Sequence, residues 1–292
     1  MTKYLVVLIW PAGLAVLAAG AYLFARRQPG AASLTSDSPG LAAGRHHGRS
    51  ASPGAAVLDA IQSPARLVVL VVVGAVIAFG LMSLLGLAVV YHGLTIDRPV
   101  FTWLHSNHVH VMTALMKRLT KIGDTWTTWG AAAAAAVCLA VSWRARRWLP
   151  PVALASLIVV DHYTTLALRH EFHRLGPPAS PLGTYPSGGC DRSVAFYGLI
   201  AYLLWREFSG RRATAVWAGA AVAALGFNEA YSRVYLSLHW LTDALSGLFY
   251  GTLLLAAFIA AIHLVAGGPQ FRPVGLPGAE SAVRNSPEGS VA

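Results

Sequence analysis

Charge is what this chain has least of. Of its 292 residues only 12% are Asp, Glu, Lys or Arg, about half the share found in a soluble globular domain. Too little polar surface remains to cover a water-soluble body of 30.9 kDa, which excludes a soluble enzyme, a disordered chain and a coiled coil. Cysteine is nearly absent too. Cys138 and Cys190 lie far apart, form no CxxC motif and offer no disulfide framework. No His-Glu-x-x-His pattern marks a zinc site, so neither a metal nor any other cofactor is expected. Cys190 is not the nucleophile of a Cys-x5-Arg phosphatase, because Phe196 stands at the arginine position. Acidic residues number 12 against 22 Lys and Arg, for a net charge of +10. Such an excess can serve nucleic acid, but here the basic residues form short clusters between apolar runs. That is the pattern of helix ends facing anionic lipid, and it argues against a nucleic-acid partner.

What the chain has in plenty is apolar surface: 55% of residues are hydrophobic and the mean hydropathy is +0.55. The class this implies is an integral membrane protein with membrane lipid as its surroundings. A span takes roughly 20 mainly apolar residues. The runs 4–25 and 67–96 contain no charged residue, and 125–143 is a third such run. Asp161 interrupts a fourth, 148–168; Asn228 and Glu229 fall near the end of a fifth, 213–231; and 244–265 is a sixth. The apolar stretch 193–205 is too short to span unless its helix starts near Pro186–Ser187, where proline followed by small residues suits a helix N-terminus.

The expectation is an all-α polytopic membrane protein with seven crossings. Its parts are an N-terminal transmembrane helix over 1–27, a flexible polar loop over 28–64, a transmembrane domain over 65–266 and a disordered tail over 267–292. Only Lys3 precedes the first run while Arg26 and Arg27 follow it, so a retained anchor is expected rather than a signal peptide. Segment 106–123 has Met112, Leu115, Met116 and Leu119 near helical spacing and is expected at the membrane interface. Gly247 and Gly251 form a GxxxG pair suited to close helix packing. The excess of Lys and Arg on alternate connections assigns 26–66, 144–148, 206–212 and the tail to the cytoplasm. The polar connections 169–192 and 232–243 then face outward, at the cell membrane's external side.

Those two connections carry the chemistry. In the second, a helix starting around His239 would place Asp243 on the same face one turn on. The carboxylate would accept one imidazole N–H and leave the other nitrogen free as base or nucleophile. Glu229 precedes Arg233 by four residues, the favourable orientation for a helical ion pair. A guanidinium held near such an imidazole suits phosphoryl chemistry. In the first connection, Ser187, Gly188 and Gly189 at a helix start would present backbone N–H groups and a hydroxyl to an anion.

Three blocks, in order, resemble the type 2 phosphatidic acid phosphatase superfamily, whose pattern is Lys-x6-Arg-Pro, Pro-Ser-Gly-His and Ser-Arg-x5-His-x3-Asp. The third block matches at Ser232, Arg233, His239 and Asp243. The second matches at Pro186, Ser187 and Gly188, with Gly189 in place of histidine. In the first, Arg169 stands for lysine, Gly176 for arginine, and Pro177 matches. The resemblance implies a six-helix bundle, here with one extra N-terminal helix, and a membrane phosphatase acting on a lipid phosphate or diphosphate, polyprenyl diphosphate among the candidates. It implies that His239 attacks phosphorus to form a phosphohistidine and that Asp243 orients the ring. Arg169, Arg233, Ser187 and the Gly188 amide would hold the phosphate oxygens, with Arg174 or Arg192 standing in for the guanidinium lost at Gly176. Gly189 removes the proton donor for the leaving oxygen, so the resemblance favours a diphosphate substrate or a replacement acid among His170, His173, Cys190 and Asp191. Two alternatives stand beside this reading: a catalytically impaired relative that binds lipid phosphates, and a lipid phosphotransferase. The sequence assigns no oligomeric state.

Overall fold

The structure, a computed structural model, describes residues 53–143, 146–177 and 183–266. The expected anchor over 1–27, the loop up to residue 52 and the tail over 267–292 lie outside the described residues. Within them are eight α-helices and no strand. These are α1 (Pro53–His92), α2 (Leu94–Ser106), α3 (His110–Leu119), α4 (Thr125–Ser142), α5 (Leu149–Phe172), α6 (Gly188–Leu204), α7 (Arg212–Tyr235) and α8 (Leu241–Ala266). A 3₁₀ turn, Thr120–Gly123, leads into α4, and a π turn, Trp205–Ser209, extends α6. The all-α membrane bundle expected from hydropathy is what is found.

Four helices are long and apolar enough to cross a bilayer: α1 from Pro64, α4, α5 and α8. Helices α6 and α7 complete a bundle of six. They carry the polar residues, Asp191 and Arg192 on one and Asn228, Glu229 and Arg233 on the other. The polar loop ends earlier than expected, because α1 begins at Pro53. Proline is tolerated at a helix's first position, where its missing N–H costs nothing, and the Ala-, Val- and Ile-containing stretch after it propagates the helix. The run 67–96 also breaks, at Gly93, into α1 and α2.

Helix α6 sits at the centre, packed against α4, α5, α7 and α8, while α1 closes the bundle against α5 and α8. Phe196, Leu199 and Leu203 of α6 meet Tyr250, Leu254 and Phe258 of α8 in the main core. The outer faces are apolar as well, with Val69, Val76, Leu84, Val137 and Val141 exposed. Lipid tails are as apolar as leucine, so close packing rather than hydrophobic burial holds such helices together. The GxxxG pair shows this. A Cβ on Gly247 would stand 2.4 Å from the Ser187 carbonyl oxygen, and one on Gly251 2.4 Å from that of Asp191. Only glycine lets α8 approach the first turn of α6 so closely, and that turn is part of the site. Helix α3 buries Met112 and Met116 while Val111 and Leu115 face out. With α2 it forms a cap over the end of the bundle where the two polar connections meet.

Candidate active site

The turn between α7 and α8 holds His239, half-buried, ahead of the helix rather than in it. Its Nδ1 lies 3.1 Å from the Thr184 carbonyl oxygen. A carbonyl can only accept, so Nδ1 carries the proton and Nε2 keeps its lone pair. Burial comes first, then the positive charges of Arg169, Arg233 and Arg192, in pushing the imidazole pKa down to about 3, against the opposing pull of the Thr184 carbonyl. The ring is therefore neutral and nucleophilic at ordinary pH.

The partner expected for this ring was Asp243, and the structure corrects that expectation. Helix α8 starts at Leu241, so His239 and Asp243 do not share a helical face. Asp243, fully buried, instead accepts from Arg174 Nη1, from Thr184 Oγ1 at 2.8 Å and from the Trp240 N–H at 3.3 Å. Its role is one step removed, since it fixes the threonine whose carbonyl holds the histidine. Two more contacts secure that segment. Thr184 N donates to the Arg174 carbonyl at 2.9 Å, and the Tyr185 hydroxyl donates to the Met82 carbonyl at 2.8 Å.

Arg174 is likewise not where a phosphate ligand belongs. It is 7% exposed, with Nη2 on Asp97 at 2.6 Å and Nη1 on both Asp243 and Thr242. Asp97 also accepts from the Thr242 N–H at 2.9 Å. This buried Asp97–Arg174–Asp243 triad ties α2, the loop after α5 and α8 together, and it turns both terminal nitrogens of Arg174 toward the carboxylates.

Three other arginines converge on His239 from three helices. Arg169, in the last turn of α5, and Arg192, in α6, both lie against Gly188. A Cβ there would stand 2.8 Å from Arg169 Nη2 and 2.9 Å from Arg192 Nη1. Arg233, in the last turn of α7, is held by Glu229 at 2.6 Å and Asp124 at 2.8 Å. The i,i+4 pair read from sequence is thus present, and Asp124 joins it. The fully buried Glu229 also accepts from the Gly123 N–H at 3.2 Å and faces Thr120 Oγ1 at 3.3 Å. Ser187 stands at the N-cap position of α6 without a side-chain capping bond, and its buried hydroxyl has no hydrogen-bond partner. Arg169 Nε is buried without a partner. Unpaired donors beside the positive end of a helix, next to three guanidiniums, are the surroundings that suit an anion.

Gly189 shows what happened to the missing histidine. A Cβ at this position would stand 2.6 Å from Glu229 Oε1 and 2.7 Å from Arg233 Nη2. The place where a side chain would begin is filled by the ion pair. Glu229 takes Arg233 Nε and Thr120 Oγ1 on one oxygen and the Gly123 N–H on the other. Gly176 is closed off similarly, with a Cβ meeting Thr184 Cγ2 at 2.3 Å. Restoring the histidine therefore damages the site. Gly189→His is expected to lower kcat/KM at least about tenfold and to lower the melting temperature, since overpacking costs about 1–3 kcal/mol; higher turnover in this variant would contradict the packing argument.

Of the candidate replacement acids, His170 and His173 are exposed and meet edge to face with ring centroids 5.0 Å apart. Cys190 is sealed in a second core cluster with Ala244, Val234 and Tyr235. Asp191 is buried and accepts from Thr165 Oγ1 at 3.2 Å. Thr184, Asp97 and Asp124 are the site residues that motif reading missed. Of these, only Asp97, a lone carboxylate ending an apolar run, carried a signal in the sequence.

The PAP2 superfamily model matches residues 67–265, which contain all three blocks. The chain belongs to the PAP2 superfamily. Among solved structures, a transmembrane PAP2-type phosphatidylglycerolphosphate phosphatase from Bacillus subtilis matches with a TM-score of 0.59 at 19% identity. The match covers 68% of this chain and 98% of that one. At this identity the likeness is one of fold. No curated protein matches the chain.

Proposed function

We propose that this PAP2 protein is a membrane lipid phosphatase working through a phosphohistidine on His239, at the external face of the cell membrane. The observation that carries this reading is the convergence of Arg169, Arg192 and Arg233 on an imidazole whose Nδ1–H is fixed by the Thr184 carbonyl. Nε2 attacks phosphorus, the P–O bond to the leaving group breaks, and the three guanidiniums with Ser187 and the Gly188 amide hold the oxygens where charge accumulates. Water then attacks the P–N bond, releasing inorganic phosphate and returning the lone pair to Nε2. The external placement rests on the distribution of Lys and Arg among the connections.

Glycine at position 189 provides no acid, so the leaving oxygen departs with little help. General acid assistance is worth about 10²–10⁴-fold. An alkoxide needs it, whereas a phosphate with its second pKa near about 6 needs it far less. The substrate class that fits is therefore a lipid diphosphate. With the full-length protein in detergent micelles, kcat/KM for a polyprenyl diphosphate is expected to exceed that for the matching monophosphate at least about 100-fold. Equal cleavage of the two would overturn the diphosphate assignment. Gly189 also favours a second reading, a relative that binds lipid phosphates without turnover. Phosphate binding with no release from any lipid in the panel would establish that alternative.

A further inference from the structure

Asp161 lies in the middle of α5, 0% exposed, and neither carboxylate oxygen has a hydrogen-bond partner. A buried carboxylate in a membrane helix needs compensating charge. The charge comes from α6, where Arg192 Nη1 stands 3.8 Å from Asp161 Oδ2. Asp191, one residue before Arg192, is a second buried carboxylate beside Arg169, and its Oδ1 is also without a partner.

We propose that Asp161 is a positioning residue for Arg192, aiming that guanidinium at the donors gathered around Gly188. The proposal rests on the phosphate-binding reading of those donors. Arg192 has two anchors, the Gly123 carbonyl on Nε at 3.3 Å and Asp161 on the Nη1 side. Its other neighbour at Gly188 is Arg169, which repels it. Without the Asp161 carboxylate, the Gly123 carbonyl and the adjacent Asp191 have to hold Arg192 against that repulsion, and the guanidinium turns away from Gly188. The spacing matters. Charge-assisted N–H···O bonds run to about 2.7–2.9 Å, so at 3.8 Å Asp161 attracts Arg192 without taking up its donors. Arg174 is the opposite case, buried and clamped between two carboxylates in close contact. The separation between Asp161 and Arg192 thus keeps the guanidinium both oriented and available.

The test uses the full-length protein in micelles, with inorganic phosphate as the calorimetric probe and melting temperature recorded alongside. Asp161→Asn is expected to raise the Kd for phosphate about tenfold, the scale of one hydrogen bond to a charged group, and to raise KM more than it lowers kcat. Asp161→Glu, which keeps the carboxyl group, should stay within about threefold of the parent Kd. In an Arg192→Gln background the Asp161→Asn change should add less than about twofold, because the effect runs through Arg192. Asp161→Ser serves where Asp161→Asn does not fold, with the same pattern expected. Unchanged phosphate affinity in a folded Asp161→Asn protein overturns the proposal. So does an equal loss with and without Arg192, which would mark a general structural role. Phosphate binding that follows the expected pattern in a protein releasing nothing from lipids supports the proposal and refutes only the phosphatase reading.

Discussion

Replacing His239 with alanine should lower kcat by about 10³–10⁶-fold while leaving the protein folded and able to bind phosphate. The lower end is the effect of losing covalent catalysis while the oxyanion contacts remain, and the upper end the loss of a group that acts as a unit with its neighbours. Binding should survive because Arg169, Arg192 and Arg233 do not depend on the ring for their placement. Arg233 is held by Glu229 and Asp124, and Arg192 by Gly123 and Asp161. Removing the half-buried ring disturbs packing only modestly, so the melting temperature should move little. Phosphate release from lipid micelles and phosphate binding by calorimetry measure the two halves of this expectation. Turnover within tenfold of the parent would mean that another group attacks phosphorus.

Arg174→Ala should be the most destabilising single change in the site. It leaves Asp97 and Asp243, both buried, without the cation between them. Breaking a buried ion pair from one side costs about 3–5 kcal/mol, and for a chain of this size that corresponds to a fall in melting temperature of about 10 °C. Activity should fall as well, because Asp243 would no longer be fixed to hold Thr184, and the Thr184 carbonyl would no longer hold His239. The outcome separates two roles for Arg174. As a phosphate ligand, which motif reading allowed, its loss would raise KM and leave thermal stability intact. As the centre of the triad, its loss lowers stability first. A melting curve of the variant decides between them, and an unchanged melting temperature would refute the structural role.

The bundle was legible because its signal is bulk composition. Charge-free runs of adequate length are hard to read as anything but spans, and the third block set His239 and Arg233 at the end of the bundle. Even the marginal stretch 193–205 was placed, since Pro186–Ser187 marked the start of α6. What sequence could not supply was the wiring among these residues. His239 and Asp243 look like an i,i+4 pair only if the helix begins at His239; starting at Leu241, it sends the carboxylate to Arg174 and Thr184 instead. The actual partner of the imidazole is a backbone carbonyl, and every residue has one. The Asp97–Arg174 contact joins residues 77 apart in the chain, and no local spacing encodes it. Gly189 and Gly176 read as losses, but the structure shows both places filled, one by the Glu229–Arg233 pair and the other by Thr184. Asp161 was visible as a charge inside a span, and only the packing of α5 on α6 identified Arg192 as its counterpart.

The central claim is that His239 Nε2 forms a bond to phosphorus. Rapid quench of the full-length protein with radiolabelled lipid diphosphate, followed by alkaline workup and peptide mass spectrometry, tests it most directly. The account predicts an acid-labile, base-stable phosphoryl group on His239, absent from the His239→Asn variant and discharged as inorganic phosphate on standing. Phosphate release with no protein-bound label, or label on any other residue, would contradict it.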